Sequence, residues 1–145
     1  MSWSKIFLLS LLLPAAACPA TTSISADRPV INFRLPTFTP DGFRSWLVRG
    51  SEARFTAGNQ IEITGLTLTI FTGRADDKIE TMILSPAARV LPDEALVTGA
   101  GTIRVINDDF EASGTDWRYL HKEKRVSINK NVHVTFRAEL KDFLK

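Results

Sequence analysis

The sequence predicts an all-β domain, either a sandwich, a barrel or a related sheet, and three observations support that prediction. From Phe43 onward, apolar residues recur in short alternating runs, as strands with one buried face require. Turn-forming residues separate these runs, and the later runs follow at intervals of about 8–12 residues, which is typical of all-β folds. Only residues 138–144 show a helical pattern, with Leu140, Phe143 and Leu144 on one side.

The composition fits one globular domain and argues against several classes of function. The chain has 145 residues, enough for a single domain, and its net charge of +2 does not by itself indicate a nucleic-acid partner. One Cys excludes an internal disulfide framework and a cysteine zinc site, and two His residues argue against a multi-histidine metal centre. We therefore expect a binding, transport or structural module without a cofactor, and not an enzyme.

Residues 1–17 have the layout of a secretory signal peptide. Lys5 supplies the positive charge, residues 6–13 are an apolar run broken only by Ser10, and Pro14 and three alanines follow. The alternative is a membrane span, which needs about 20 apolar residues. The apolar run ends at Pro14, so the sequence predicts export.

Cys18 follows Ala15-Ala16-Ala17, a pattern similar to the lipobox of bacterial lipoproteins. In that box the Cys is lipidated and becomes the first residue, although the usual box has Leu where this chain has Ala15. The alternative is ordinary cleavage after Ala17, Ala20 or Ala26, which leaves Cys18 removed or free. We expect lipidation, because the one Cys of the chain stands at this position. Two acyl chains would then hold the protein stably on a membrane.

Residues 18–40 contain several prolines and little periodicity. They predict a tether or an extended arm between the membrane and the domain. The alternative is that part of this segment, such as residues 30–33, pairs as a first strand.

The predicted β-domain spans residues 41–138, followed by a tail at 139–145 that is helical or frayed. In its clearest strand, apolar residues fall on odd positions up to Ile63 and on even positions from Leu66. A bulge or bend at Gly65 would absorb this change of phase. Pro86 is expected to interrupt the strand that contains it. The predicted strands are residues 43–48, 61–70, 79–84, 88–91, 96–106, 110–112, 117–120, 126–128 and 132–136.

No group of residues predicts catalysis or metal binding. His133 alternates with apolar neighbours and should face solvent, and the pairs Asp76-Asp77 and Asp108-Asp109 lie in predicted turns, where Asp is favoured. The sequence has no phosphate loop and no nucleophile elbow. Residues 122–125 are a charged hairpin tip, expected to be solvated, with contact to an anionic lipid headgroup as the alternative.

The remaining candidate site is the apolar face of the predicted sheet. It would be a closed, dry core or a groove that holds acyl chains, and the pattern leaves both open. A groove is physically plausible because each buried methylene contributes about 0.8 kcal/mol. The face comprises Ile61, Ile63, Leu68, Ile70, Ile103, Val105, Phe110, Trp117, Tyr119, Val126, Ile128, Val134 and Phe136.

The later strands carry motifs that resemble a known family. These are Thr98-Gly99-Ala100-Gly101, then residues 110–114 followed by Trp117-Arg118-Tyr119, and finally Asn131-Val132-His133-Val134. Together they resemble the strand pattern of the periplasmic lipopolysaccharide-transport (Lpt) bridge proteins, which include LptC-like and LptA/OstA-like members. Residues 50–53 and 59–70 fit the same pattern. The likeness covers residues 43–136 and is nearest to the LptC-like member.

This resemblance implies a folded-over antiparallel sheet, a jellyroll-like "β-taco" that is open along one side. Acyl chains travel inside such a sheet, and modules stack by adding edge strands to one another. The LptC-like member typically has an uncleaved N-terminal membrane helix, whereas this chain carries a predicted cleavable or lipidated signal. The resemblance also implies a membrane-bound transport complex as a partner.

The sequence therefore predicts a periplasmic module of lipopolysaccharide export, anchored to a membrane through its N-terminus and acting as a conduit or adaptor. Its expected ligand is lipopolysaccharide or a similar amphiphile, and its expected partners include other β-taco modules but no nucleic acid. The predicted lipid contacts are the apolar-face residues named above except Val126 and Ile128. The alternative is a structural envelope lipoprotein whose core is closed and which scaffolds a complex without carrying lipid.

Overall fold

A computed structural model describes residues 28–137, which form seven strands in one antiparallel sheet with the order β1-β2-β3-β4-β5-β6-β7. Each strand pairs only with its neighbours in sequence, and a short 3₁₀ turn at Pro92–Glu94 joins β4 to β5. The strands are β1 Val30–Phe38, β2 Arg44–Thr56, β3 Gln60–Phe71, β4 Ile79–Leu91, β5 Leu96–Ile106, β6 Phe110–Leu120 and β7 Arg125–Phe136.

This architecture confirms the all-β prediction. Between residues 28 and 137 there is no α-helix, and so no helix that could cross a membrane. The predicted signal peptide at 1–17, the lipidation of Cys18 and the tail at 139–145 lie outside the described residues.

The segment predicted as a tether or a first strand contributes a strand. Val30–Phe38 pairs with β2 along its length and is one edge of the sheet. Pro36 is tolerated within it because an edge strand has one side without a ladder partner, where a missing N–H costs no hydrogen bond.

The expected break at Pro86 is wrong, since β4 continues through it from Ile79 to Leu91. The β4–β5 pairs jump from Leu84–Arg104 to Arg89–Thr98, so the ladder on that side is open at Pro86. The absent N–H therefore removes no bond to β5. Two other pairs of predicted strands are also continuous. The runs 110–112 and 117–120 are both part of β6, and the runs 126–128 and 132–136 are both part of β7.

A line of irregular positions, which we call the seam, crosses the sheet at Asn32, Gly65, Asp116 and Asn131. All four have a positive φ, between 53° and 65°, inside a strand. In β3 the buried positions are Ile63 before the seam and Leu66 after it. The bend expected at Gly65 is confirmed, and the same change of facing occurs on neighbouring strands.

The sheet is folded over, so that its first strands and its last strands face each other. These two halves contact one another through residues of strands that do not pair. The rings of Trp46 in β2 and Tyr119 in β6 have centroids 6.3 Å apart. The turn between β6 and β7 reaches the same region through His121, which is hydrogen-bonded to Ser45. Among the described residues, β1 and β7 each pair on one side only, so the folded sheet is not closed into a barrel.

Candidate functional site

One cavity of about 610 Å³ lies where the start of β4, the end of β5 and the start of β6 meet the start of β7, and we call it the end cavity. Its size falls within the range of about 300–1,000 Å³ that is usual for ligand sites. Its floor is apolar and its rim is charged. The floor comprises Val105, Phe110, Ala112, Val126 and Ile128, and the rim includes Arg74, Lys78, Glu80, Asp108, Asp109 and Lys124.

Part of the floor follows from strand alternation in β5 and β6, and the same row continues on β7 beside the cavity. Val105 faces Ala112 across one ladder, and Ala112 faces Val134 across the next. Inward side chains of three neighbouring strands therefore form one row. Because Ala112 has only a methyl group at the centre of that row, it leaves space between its larger neighbours.

The tip of the β6–β7 hairpin forms one wall of the end cavity. Lys124 Nζ lies 2.6 Å from a carboxylate oxygen of Glu80 at the start of β4, and 3.5 Å from the carbonyl oxygen of Phe71. Both ionic side chains are almost half exposed, so the pair contributes no more than about 1 kcal/mol. The contact joins two parts of the folded sheet that share no ladder.

Behind that wall, His121 is hydrogen-bonded through both ring nitrogens. Its Nε2 lies 2.6 Å from Ser45 Oγ, and its Nδ1 lies 2.8 Å from the hydroxyl oxygen of Tyr119. The ring stacks on Trp46 at a centroid distance of 4.8 Å. Burial lowers the pKa of His121, Lys124 lowers it further and Glu80 opposes this, so the neutral ring is favoured. Burial also raises the pKa of Tyr119, which keeps its hydroxyl protonated.

The structure divides the predicted lipid contacts into three groups. Val134 and Phe136 are 45% and 73% exposed on β7, and Phe110 is partly buried in the end cavity. The remaining residues are at most 3% exposed and pack against one another in the interior. These are Ile61, Ile63, Leu68, Ile70, Ile103, Val105, Trp117 and Tyr119.

Among the predicted lipid contacts, the accessible ones therefore lie at the end cavity and along β7, while further exposed apolar side chains such as Ile31 and Phe38 lie on β1. Val132, Val134 and Phe136 form an exposed row on β7, which we call the β7 stripe. The stripe continues into the end cavity, since the rings of Phe136 and Phe110 contact edge to face at 6.5 Å. Among predicted contacts in the sealed interior, only Val105 also lines the end cavity.

Several residues of this site were not proposed as site residues from the sequence. Ala112 has no distinctive local signal, and the contacts of His121 with Ser45 and of Lys124 with Glu80 form only through the folding over of the sheet. Lys124 belongs to the hairpin tip, which is exposed as expected, and it also pairs with Glu80. Between residues 28 and 137, no three His, Cys, Asp or Glu side chains are grouped in a way that could hold a metal ion.

Comparison with known protein families gives one result. A family model described as "Lipopolysaccharide-assembly, LptC-related" matches residues 22–137, a range that includes all seven strands, the end cavity and the β7 stripe. No curated protein matches the chain.

Proposed function

The chain belongs to the LptC-related family of lipopolysaccharide-assembly proteins, and on that premise we propose that its folded-over sheet takes up acyl chains of lipopolysaccharide during export. Family membership implies an envelope component that acts with lipopolysaccharide and other Lpt components. The route by which lipid enters this chain is the part we propose from its own residues.

The observation that carries the proposal is the apolar floor of the end cavity, which lies beside β7, the last strand of the described sheet. A segment of about five methylenes that moved there from water would gain about 4 kcal/mol, at about 0.8 kcal/mol for each methylene. No specific polar contact is needed for this gain. The mechanism is passive, and the direction of transport comes from an energy source elsewhere in the complex.

We place the path of the acyl chain along the β7 stripe and into the end cavity. The buried interior residues, such as Ile103 and Leu68, would become acyl contacts when the two halves of the sheet separate. Such separation breaks no backbone ladder, because the halves are joined across the fold by side chains such as Lys124 and His121.

Within residues 28–137, β1 and β7 each have one edge without a ladder partner, which supports docking to neighbouring modules by strand addition. In this proposal the chain acts in the periplasm, held to a membrane through lipidated Cys18, and passes lipid to or from other β-taco modules of a membrane-bound complex. Lipidation places the anchor at the start of the segment that leads into β1.

Photocrosslinking tests the acyl path. A photoreactive residue replaces Phe110, and crosslinking to lipopolysaccharide is compared between this protein and the same protein with Val134→Asp. Because Val134 is already exposed, the charge should be tolerated by the fold and should block lipid on the β7 stripe. The matched control is His133→Asp, on the opposite face of the same strand.

We expect lipid crosslinks to fall at least about tenfold with Val134→Asp, since a desolvated charge costs more than the 1.4 kcal/mol that corresponds to tenfold, and to remain with His133→Asp. Equal crosslinking in both variants would remove the β7 stripe from the path. Complete absence of lipid from the unmodified protein would instead favour the closed scaffold.

A further inference from the structure

Two arginines face each other directly across the edge of the sheet. Arg34 in β1 is the register partner of Arg49 in β2, and both side chains are exposed on the outer face, opposite the apolar interior. Like charges at directly opposed positions of an antiparallel pair are destabilising. The repulsion between the two arginines therefore either lowers the stability of the sheet or is neutralised by a bound anion.

The rest of the sheet avoids this arrangement. The other directly opposed charged pairs among the described strands, Arg54–Glu62 and Glu62–Arg89, are of opposite sign. Arg89 also forms an ion pair with Glu62 at 3.3 Å. Within residues 28–137, neither Arg34 nor Arg49 forms an ion pair or a side-chain hydrogen bond, although carboxylates accompany most other arginines of the strands.

The two guanidinium groups border a polar depression of about 580 Å³ on the outer face. Thr67, the register partner of Arg49 on β3, lies on the same face and lines the depression, and its hydroxyl has no partner in the described part of the chain. Asn32 and Ser51 complete the polar wall at the seam. The depression thus offers two guanidinium groups and a hydroxyl group as hydrogen-bond donors, and no carboxylate is among its lining residues.

We propose that this depression, bordered by Arg34 and Arg49, is a binding site for a phosphate group. Arginine is suited to phosphate because its planar fork can donate two parallel hydrogen bonds to phosphate oxygens. A phosphomonoester carries a charge of about −1.5 to −2 at neutral pH, which matches the two guanidinium groups better than a single carboxylate does. The bound anion would also remove the repulsion between the two arginines.

The site is independent of the acyl path, since it lies on the other face of the sheet from the end cavity. The phosphate could come from a lipid headgroup or from a free phosphate compound, and both share the same chemistry. A failure of this site would leave crosslinking at Phe110 unchanged, so the two proposals can be told apart.

The test measures phosphate binding by the whole mature chain. The protein is titrated with inorganic phosphate and, in a parallel sample, with chloride at matched ionic strength. The Nε–Hε signals of the arginines are followed by NMR. The variants Arg34→Gln and Arg49→Gln are compared with Arg118→Gln, an exposed arginine on β6 that lacks an opposed arginine. A second arm measures cosedimentation with phosphatidylcholine vesicles, with and without phosphatidic acid.

We expect saturable shifts at Arg34 and Arg49, and an affinity at least about tenfold weaker in either of their Gln variants but unchanged with Arg118→Gln. Vesicle binding that depends on the same arginines would identify a lipid headgroup, and binding of inorganic phosphate alone would identify a free phosphate compound. Two results would overturn the proposal. One is equal binding in all three variants, and the other is identical behaviour in phosphate and in chloride.

Discussion

The Nε2 atom of His121 lies 2.6 Å from Ser45 Oγ, although 76 residues separate the two in sequence. Ser45 is at the start of β2, and His121 begins the turn after β6. Their contact, together with the stacking of His121 on Trp46, joins the two halves of the folded sheet. The hydrogen bonds of one half-buried side chain thus help to fix how far the sheet closes over its interior.

Folding stability should fall in mild acid because of His121. A neutral ring donates to one hydroxyl and accepts from the other, whereas a protonated ring accepts from neither, so a buried hydroxyl loses its acceptor. Since the pKa of His121 is lowered in the folded protein, its contribution is complete above the unfolded value of about 6.5 and is lost as pH falls below that value.

Urea denaturation at pH 8 and pH 5 checks this expectation. The loss of unfolding free energy between the two pH values should shrink in His121→Gln and persist in His133→Gln, because the His133 side chain is exposed and forms no hydrogen bond within the described residues. The same loss in the parent and in His121→Gln would show that other groups cause the acid sensitivity.

Gly114→Ala should destabilise the sheet by about 1–3 kcal/mol through overpacking. A Cβ there would collide with the Cγ2 of Ile128 and lie 2.8 Å from the carbonyl oxygen of Lys130. The matched control is Gly101→Ala, where a Cβ meets nothing within 4 Å and φ is not positive. Thermal denaturation should show a lower Tm for the first variant alone, and equal Tm values would contradict the packing at the seam.

Ala112→Phe should fill the end cavity and exclude lipid while the domain remains folded. The side chain would project into about 610 Å³ of space that the central methyl group leaves open. We expect an intact circular dichroism spectrum and at least about tenfold less crosslinking from position 128, because filled space gives no gain from burial of methylenes. Undiminished crosslinking would place the lipid elsewhere.

The Glu80–Lys124 contact should contribute little stability but should restrict access to the end cavity. A double-mutant cycle with Glu80→Gln and Lys124→Met should give a coupling below about 1 kcal/mol that weakens as salt is added. The single variants should take up a fluorescent acyl probe faster than the parent does. Slower or unchanged uptake would show that the pair does not limit entry.

Local features of the sequence were sufficient to predict the positions of most strands, though not their full lengths, and one bend. Alternation of apolar residues identifies the inward face, and the change of phase across Gly65 identifies the bend, because both signals lie within a few residues of their effect. The family motifs added the folded-over arrangement, which strand spacing alone left open among several all-β folds.

The missing features depend on contacts between distant residues. Asn32, Asp116 and Asn131 adopt positive φ inside long strands, a conformation that Asn and Asp tolerate better than most residues. Their alignment in one line across the sheet depends on the register of neighbouring strands, which no single strand reveals. Pro86 was expected to break β4, yet the ladder to β5 is open where its N–H is absent. The sequence likewise could not show which inward residues are sealed and which line the end cavity, since that depends on how the two halves meet.

Native mass spectrometry of the mature protein, purified from a bacterial envelope, tests the central claim most directly. Collisional activation separates noncovalently bound lipid from a covalent modification at Cys18, so one experiment reports both. We expect an acyl-chain amphiphile that dissociates on activation and is strongly reduced in Ala112→Phe. A folded protein that carries no dissociable lipid, even after incubation with lipopolysaccharide, would contradict uptake of acyl chains by this sheet.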